Sequence, residues 1–187
     1  WAGGVVVCLA SGPSLNRADI ERVRQWREAA GPKEVRAVCV TNTTYKAARW
    51  ADALYAHDRG WWDTYKRDVL ATFAGKRYSA NRLPNVEQVT LDAHRNSGAG
   101  SIALAAHLGA KRVILLGYDC QHTGGRAHWH GNHPKHLGNA SGVEQWIESF
   151  GQLAERLKCE VLNATRETAL TCWPRVDLEK ALSEPTA

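Results

Sequence analysis

Residues 112–118 read RVILLGY, an apolar run of strand length that is followed directly by Asp119. Continuous apolar runs of this length are typical of strands that are buried on both faces of a parallel sheet. Residues 4–10 (GVVVCLA) and 35–41 (VRAVCVT) have the same character. The three runs therefore predict a parallel sheet with helices packed on both of its faces.

Helical patterns alternate with the strands along the chain. Helices are predicted over residues 16–30, 60–73, 97–108 and 142–157, the last with Ser141 as an alternative start, and further strands over residues 53–56, 86–91 and 159–162. This alternation is typical of an α/β fold with one doubly wound, mostly parallel, Rossmann-like sheet. A chain of 187 residues fits one such domain over residues 1–187.

The composition excludes several classes of protein. Hydrophobic residues make up 44% and charged residues 23% of the chain, as in ordinary globular proteins and unlike disordered ones. No apolar run approaches the roughly 20 residues of a membrane span, and the first residues lack the pattern of a signal peptide. The five cysteines form no C-x-x-C pair, which favours reduced thiols. We therefore expect a cytoplasmic protein, whose true start precedes Trp1 because the chain contains no Met.

The net charge of +5 and the pI of 9.1 favour an anionic ligand. The excess lies before residue 144, because residues 144–187 are net acidic. Lys and Arg are spread over residues 17–82 without a long basic run, so a compact anion such as a nucleotide is favoured over nucleic acid. A basic surface that serves only solubility is the alternative.

Polar side chains follow the predicted strands, at the edge of the sheet where ligands of open α/β folds bind. The segments are Ser11-Gly12-Pro13-Ser14, Thr41-Asn42-Thr43-Thr44, His57-Asp58-Arg59-Gly60-Trp61-Trp62 and Asn96-Ser97-Gly98. The first is neither G-x-G-x-x-G nor a P-loop, yet its hydroxyls and N–H groups could cradle a phosphate. An Asn side chain suits a ribose or a base edge, and the two Trp could stack on a ligand. Plain turns, helix caps and core packing explain each segment equally well on its own.

Residues 119–140 form the longest stretch without a helix or strand pattern and hold five of the eight histidines. Loops of this length in compact domains are usually functional or disordered. One histidine could act as a general base toward a hydroxyl acceptor. Alternatively, His128, His130 and His133, with Asp119 or His122 nearby, could bind zinc or another divalent ion. A third possibility is an exposed polar loop in which His side chains make structural hydrogen bonds.

Several segments, taken in order, resemble a known family. VVVCLASGPSL, AVCVTNTTY, RNSGAGSIALAAHLGAKRVILLGYDC, VEQWIESF and CEVLNAT are similar to segments of small bacterial sialyltransferases that use CMP-sialic acid. They also resemble a broader α/β group that contains 6-hydroxymethylpterin diphosphokinase-like proteins and uncharacterised phage proteins. The resemblance runs from Val5 to about Thr165 and rests on motifs.

The resemblance implies a nucleotide site and a loop base. The nucleotide site would be built from Ser11, Gly12, Ser14, Asn42, Ser97 and Gly98, to which Asp58 is added here as a further strand-end residue. In the sialyltransferases a loop His is the general base and no metal is needed; the nearest equivalents here are His133 and His136, with Asp119 as a further catalytic candidate. Compared with the sialyltransferases, we expect a shorter protein without their C-terminal membrane-associating part.

The sequence therefore predicts a glycosyltransferase-like enzyme that takes a nucleotide sugar as donor. Arg59 and Arg126 are expected to balance the phosphate charge. The first alternative is a diphosphate transferase acting on a pterin-like alcohol, with Mg²⁺ on Asp58 or Asp119. The second is a non-enzymatic accessory protein, possibly of phage origin, that binds nucleotide or nucleic acid.

Overall fold

Seven parallel strands form a single sheet in the computed structural model of the chain, which describes residues 1–93, 96–134, 136–137 and 142–183. The strand order is β5-β4-β3-β2-β1-β6-β7. The strands are β1 (Val5–Leu9), β2 (Arg36–Thr41), β3 (Ala53–Tyr55), β4 (Lys76–Ser79), β5 (Glu87–Gln88), β6 (Arg112–Leu116) and β7 (Glu160–Asn163). The predicted α/β fold with a parallel sheet is confirmed.

Helices cover both faces of this sheet. They are α1 (Arg17–Glu28), α2 (Arg59–Thr72), α3 (Ser97–His107), α4 (Val143–Arg156) and α5 (Leu178–Ser183), with a 3-10 helix at Asn42–Lys46. Side chains of α1, α2 and α5 form one apolar core with alternate residues of β1, such as Val7 and Leu9. Side chains of α3 and α4 form a second core with Val6 and Cys8 on the opposite face. The sheet is therefore doubly wound.

The strand order reverses at β1. The chain passes from β1 through β2 to β5 on one side of β1, and β6 and β7 then pair on the other side. The register aligns Leu9 with Val40 on β2 and with Leu116 on β6, so the three strands end at the same level. The loops that follow β1, β2 and β6 therefore meet at a topological switch point, where open α/β sheets bind ligands.

The differences from the sequence prediction lie at the edge of the sheet. The predicted strand over residues 86–91 is reduced to the two residues of β5, and β4 was missed. Only Tyr78 and Ser79 of β4 are buried, while Lys76 and Arg77 reach solvent, so the segment has no apolar run. Helix α4 begins at Val143 after Gly142; Ser141, the alternative start, lies outside the described residues.

The five cysteines are all free, with Cys8 and Cys39 buried in the sheet. Within the ranges that the structure describes, every helix is too short or too polar to cross a bilayer.

Candidate functional site

A polar cavity of about 510 Å³ lies at the carboxyl ends of the central strands. Its walls come from the loops after β1, β2, β3 and β6, the start of α3 and one face of α4. The lining residues that the sequence singled out are Ser11, Gly12, Asn42, Asp58, Ser97, Gly98, Asp119, His128 and His133. The structure therefore brings together most of the predicted site residues, including both the nucleotide and the loop candidates.

The turn after β1 is tied to the loop after β6 through Asp119. The Ser14 hydroxyl donates to Asp119 Oδ1 at 2.8 Å, and the Ser14 N–H donates to Oδ2 at 2.8 Å. The Thr123 hydroxyl also donates to Oδ2, at 3.0 Å. Asp119 is 1% exposed. Burial raises its pKa and these hydrogen bonds oppose the rise.

These bonds use the donors that were expected to cradle a phosphate. The Gly12 N–H donates to the Gly117 carbonyl at 2.7 Å, and the Leu15 N–H donates to the Gly12 carbonyl at 3.1 Å. Ser14 lines a neighbouring groove and is absent from the cavity lining. In this structure the turn therefore holds the Asp119 carboxylate in place through the hydrogen bonds of Ser14.

Gly12 is required by this close approach. A Cβ atom at this position would overlap the Asp119 carboxylate and lie 2.5 Å from the Gly117 carbonyl oxygen. Gly117 itself has φ of +72°, a conformation that favours glycine.

Asn42 lines the cavity, and its side-chain carbonyl is an acceptor without a partner among the described residues. It follows β2 with φ of +49°, which non-glycine residues adopt mainly where the surroundings impose it. Its Oδ1 atom is buried and has no hydrogen-bond partner among the described residues. Buried polar atoms are normally paired, so this one indicates a ligand or water donor at that point.

The start of α3 forms another wall, and its donors are partly used. The Asn96 side chain accepts from the N–H groups of Gly98 and Ala99, which caps the helix. The Ser97 hydroxyl accepts the His57 N–H at 3.0 Å. A side chain at Gly98 would crowd Tyr118 and Phe150, at 3.2 Å each. Ser97 and Gly98 thus permit close packing around the cavity as well as ligand approach.

An aromatic wall was not predicted. Tyr118 and Phe150 pack edge to face with ring centroids 5.8 Å apart, and Trp146 lies beside them in the lining. The signal was present in VEQWIESF, since Trp146 and Phe150 are four residues apart and share a helix face. The Trp pair that was considered for stacking is core instead, because Trp61 and Trp62 are 3% and 0% exposed.

Positive charge is missing from the described lining. Asp58 and Asp119 are its acidic members, and no described lining residue is Lys or Arg. Arg59 is exposed and pairs loosely with Asp63 at 3.9 Å, while Arg126 lines a different groove. Neither Arg59 nor Arg126 is among the lining residues of the cavity, and their expected role in balancing the phosphate charge stays a prediction. Arg95 and Lys135 lie outside the described residues.

The basic residues gather instead in the neighbouring groove of about 1170 Å³. Its cationic members are Arg17, Arg24, Lys46, Arg126 and Arg166, against the acidic Glu21 and Glu167. Pro13 borders both the groove and the cavity.

The two candidate loop bases are in different places. His133 lines the cavity. His136 is exposed, and its Nε2 atom lies 2.9 Å from the Thr64 hydroxyl of α2. His122 is also exposed. The structure thus places His133, and not His136, at the cavity.

Three loop histidines form a compact cluster, named here the His triad: His128, His130 and His133. The ring centroids of each pair are 4.8 to 5.2 Å apart. One ring nitrogen from each residue lies within 4.8 Å of the other two. The Nε2 atoms of His128 and His130 are buried and have no hydrogen-bond partner among the described residues.

The surroundings of the triad favour the neutral form of its imidazoles. Burial and the neighbouring His133, His128 and Lys46 lower the pKa of His130 to about 4. Burial, His128 and Lys46 lower the pKa of His133 to about 4. Burial also lowers the pKa of His128, although a hydrogen bond to the Ser11 backbone opposes this. Neutral imidazoles can accept a proton or bind a metal ion.

Trp129 attaches the loop segment that carries the triad to the end of the sheet. Its backbone N–H donates to the Ser11 carbonyl at 3.1 Å, and its indole N–H approaches the Thr44 hydroxyl at 3.4 Å. The ring packs against the core on the α1–α2 face. Since Trp129 lies between His128 and His130, these contacts hold both imidazoles beside the cavity.

Comparison with known proteins supports the fold. No protein-family profile matches the chain, and no curated protein sequence matches it. The structure is similar to the crystal structure of the α-2,3-sialyltransferase of Campylobacter jejuni in apo form, with a TM-score of 0.50. The similarity covers 94% of this chain and 81% of that one, at 16% sequence identity. At this identity the similarity shows a shared sialyltransferase-like fold.

Proposed function

We propose that the protein is a glycosyltransferase-like enzyme that binds a nucleotide-sugar donor in the strand-end cavity. The observation that carries the proposal is the buried, unpartnered Oδ1 of Asn42 at the topological switch point. The fold shared with a sialyltransferase supports the choice of donor class.

The cavity offers complementary surfaces for such a donor. Asn42 would accept a hydrogen bond from a base amino group or a ribose hydroxyl. The aromatic wall of Tyr118, Trp146 and Phe150 would contact a planar or sugar ring. Asp58 is exposed at the end of β3 and would accept hydrogen bonds from sugar hydroxyls.

Ser14 and Asp119 would serve as positioning residues. Both oxygens of Asp119 already accept hydrogen bonds from Ser14 and Thr123, so the carboxylate fixes the two loops that border the cavity. The diphosphate-transferase alternative needs Asp58 or Asp119 for Mg²⁺, and these hydrogen bonds compete for the oxygens of Asp119.

The proton acceptor of the reaction would lie on the His-rich loop. The acceptor hydroxyl oxygen bonds to the anomeric carbon, and the bond from that carbon to the phosphate oxygen breaks toward the nucleotide. The hydroxyl proton would pass to a neutral group on the loop; of the two candidate bases His133 and His136, His133 is the one that lines the cavity, together with His128. An acceptor could enter along the basic groove that meets the cavity at Pro13.

A binding screen tests the proposal. Thermal shift with CMP, UDP, GDP, ADP and their sugar conjugates should identify one nucleotide class, since a ligand at 100 times its Kd adds about 2.7 kcal/mol of stability. Asn42→Gly removes the side chain and tolerates the positive φ, so it should weaken binding by roughly 1 kcal/mol or more. Asn132→Ala, an exposed loop change outside the cavity, is the matched control.

Binding of the selected nucleotide with equal affinity to the parent and to Asn42→Gly would place the site elsewhere. Binding without release of nucleotide from any sugar conjugate, across a panel of hydroxyl acceptors, would favour the accessory-protein alternative.

A further inference from the structure

We propose that the His triad binds a divalent transition-metal ion of the zinc class, and that this ion faces the donor phosphate in the strand-end cavity. The binding of the ion stands independently of the proposed function. Its role toward the donor rests on that function.

The three imidazoles of the triad converge on one point. Three imidazole nitrogens lie within 4.8 Å of one another in a six-residue segment of one loop, His128 to His133. In a tetrahedral zinc site with Zn–N bonds of about 2.0–2.1 Å, neighbouring ligand nitrogens are roughly 3.4 Å apart. Modest rotations of the rings would bring the nitrogens to that spacing. A single general base would not need two further imidazoles packed against it.

Two of the triad histidines also carry a buried ring nitrogen without a hydrogen-bond partner among the described residues. The Nε2 atoms of His128 and His130 are buried and without a partner in the described part of the chain. A buried polar atom without a partner is costly, and an ion that accepts its lone pair removes the cost.

A cation on the triad would also balance the negative charge of a phosphate in the cavity. A donor phosphate in the cavity would meet Asp58 and Asp119 and no described Lys or Arg in the lining. His128 and His133 line this cavity, and His130 packs against both of them from outside the lining. A dication on the triad would supply positive charge beside the phosphate and stabilise the nucleotide as it leaves.

The ion also changes the route of the proton. With three protein ligands, a fourth position stays open for water, whose pKa a zinc ion lowers to about 7. If the triad holds the ion, His133 would be a ligand and would not be free to accept the proton of the acceptor hydroxyl; a water molecule deprotonated on the ion would supply the base in its place.

Zinc titration of the chelator-treated full chain tests the binding. Native mass spectrometry and competition with a chromophoric chelator should show one zinc ion per chain. His128→Ala, His130→Ala and His133→Ala should each lower the affinity by at least about 100-fold, and the corresponding Asn variants should do the same if an Ala variant folds poorly. The controls His122→Ala and His136→Ala change exposed histidines near the triad and should bind zinc like the parent.

A parent protein without stoichiometric zinc binding would overturn the metal site. Triad variants that bind as tightly as the parent would overturn it equally, because the ion would then be held elsewhere.

The His130→Ala variant separates the ion's role from direct contact with the donor. His130 is absent from the cavity lining. If the triad histidines acted only by touching the nucleotide, the His130→Ala variant would therefore bind nucleotide like the parent. The proposal instead predicts that zinc strengthens binding of CMP, UDP, GDP or ADP to the parent by at least about tenfold, and that His130→Ala abolishes this gain. Zinc binding without any nucleotide binding would refute the proposed function and leave the metal site standing. Nucleotide binding that zinc does not strengthen would overturn the role assigned to the ion.

Discussion

Gly12 and Asp119 show at the level of single residues how the cavity is kept in shape. Gly12 lets the turn after β1 pass directly against the Asp119 carboxylate, which in turn accepts three hydrogen bonds. Neither oxygen of that carboxylate is left without a donor. The two loops on either side of the switch point are therefore joined by a buried ionisable group.

We expect Gly12→Ala to destabilise the protein by about 1–3 kcal/mol, because the added Cβ overlaps Asp119 and the Gly117 carbonyl. Urea unfolding measures the change. Gly151→Ala is the control, since no atom lies within 4 Å of a Cβ at that helical position and Ala is the better helix former. Equal stability of Gly12→Ala and the parent would show that the turn can move away from Asp119.

Asp119→Asn should cost roughly 1–3 kcal/mol, because the new amide group faces donors and at least one of them loses its acceptor. Asp63→Asn, at an exposed and loosely paired position, should change stability by less than about 0.5 kcal/mol. Comparable unfolding midpoints for the two variants would contradict the positioning role of Asp119.

At the level of elements, Trp129 anchors the part of the loop that carries the His triad. Trp129 contacts Ser11, Thr44 and the apolar core, so the loop segment around it is bound to the end of β1. Because Trp129 lies between His128 and His130, this attachment positions both imidazoles.

Trp129→Ala should free the loop. Hydrogen exchange of residues 126–131 should accelerate by at least about tenfold, while exchange in the central strands stays slow, because local opening then no longer costs the anchor contacts. Trp50→Ala removes another half-buried Trp from the same core and should leave the loop protected. Unchanged protection of the loop in Trp129→Ala would mean that other contacts hold it.

The sequence predicted the elements whose residues carry a strong local pattern. The strands β1, β2 and β6 are apolar on both faces, and the segments of α1 to α4 show the residue pattern of helices. The sequence therefore predicted these strands and helices correctly. β4 was missed because half of it is solvent-exposed, and α5 because it is only six residues long.

The site was predicted in its location and not in its bonding. Strand ends of a parallel sheet converge by topology, which is why Ser11, Asn42 and Ser97 meet at one cavity. The hydrogen bonds between Ser14 and Asp119 join residues 105 positions apart, and no local pattern signals them. The separation of His133 from His136 depends on the path of the loop, which the sequence pattern does not encode.

For the whole molecule, the distribution of charge argues for a compact ligand. The net charge is +5, and the cationic groove also contains Glu21 and Glu167. Several of its Arg side chains pair with acids, as Arg24 does with Glu28 and Arg166 with Asp19. Fewer Arg side chains of the groove are then available to contact the successive phosphates of a nucleic-acid backbone.

We therefore expect duplex DNA to bind no more tightly than ordinary non-specific binding, with a Kd of about 10⁻⁵ M or weaker at physiological salt. Fluorescence anisotropy with a labelled duplex, repeated at several salt concentrations, measures this. Submicromolar binding that falls steeply with added salt would favour a nucleic-acid-binding accessory protein.

Nucleotide binding in the strand-end cavity is the prediction on which the proposed function depends. A crystal structure of the protein with the nucleotide selected by the binding screen tests it most directly. We expect nucleotide density inside the 510 Å³ cavity, with a donor group of the ligand within hydrogen-bond distance of Asn42 Oδ1. Nucleotide bound in the basic groove or elsewhere on the surface, with Asn42 Oδ1 still unpartnered, would contradict it.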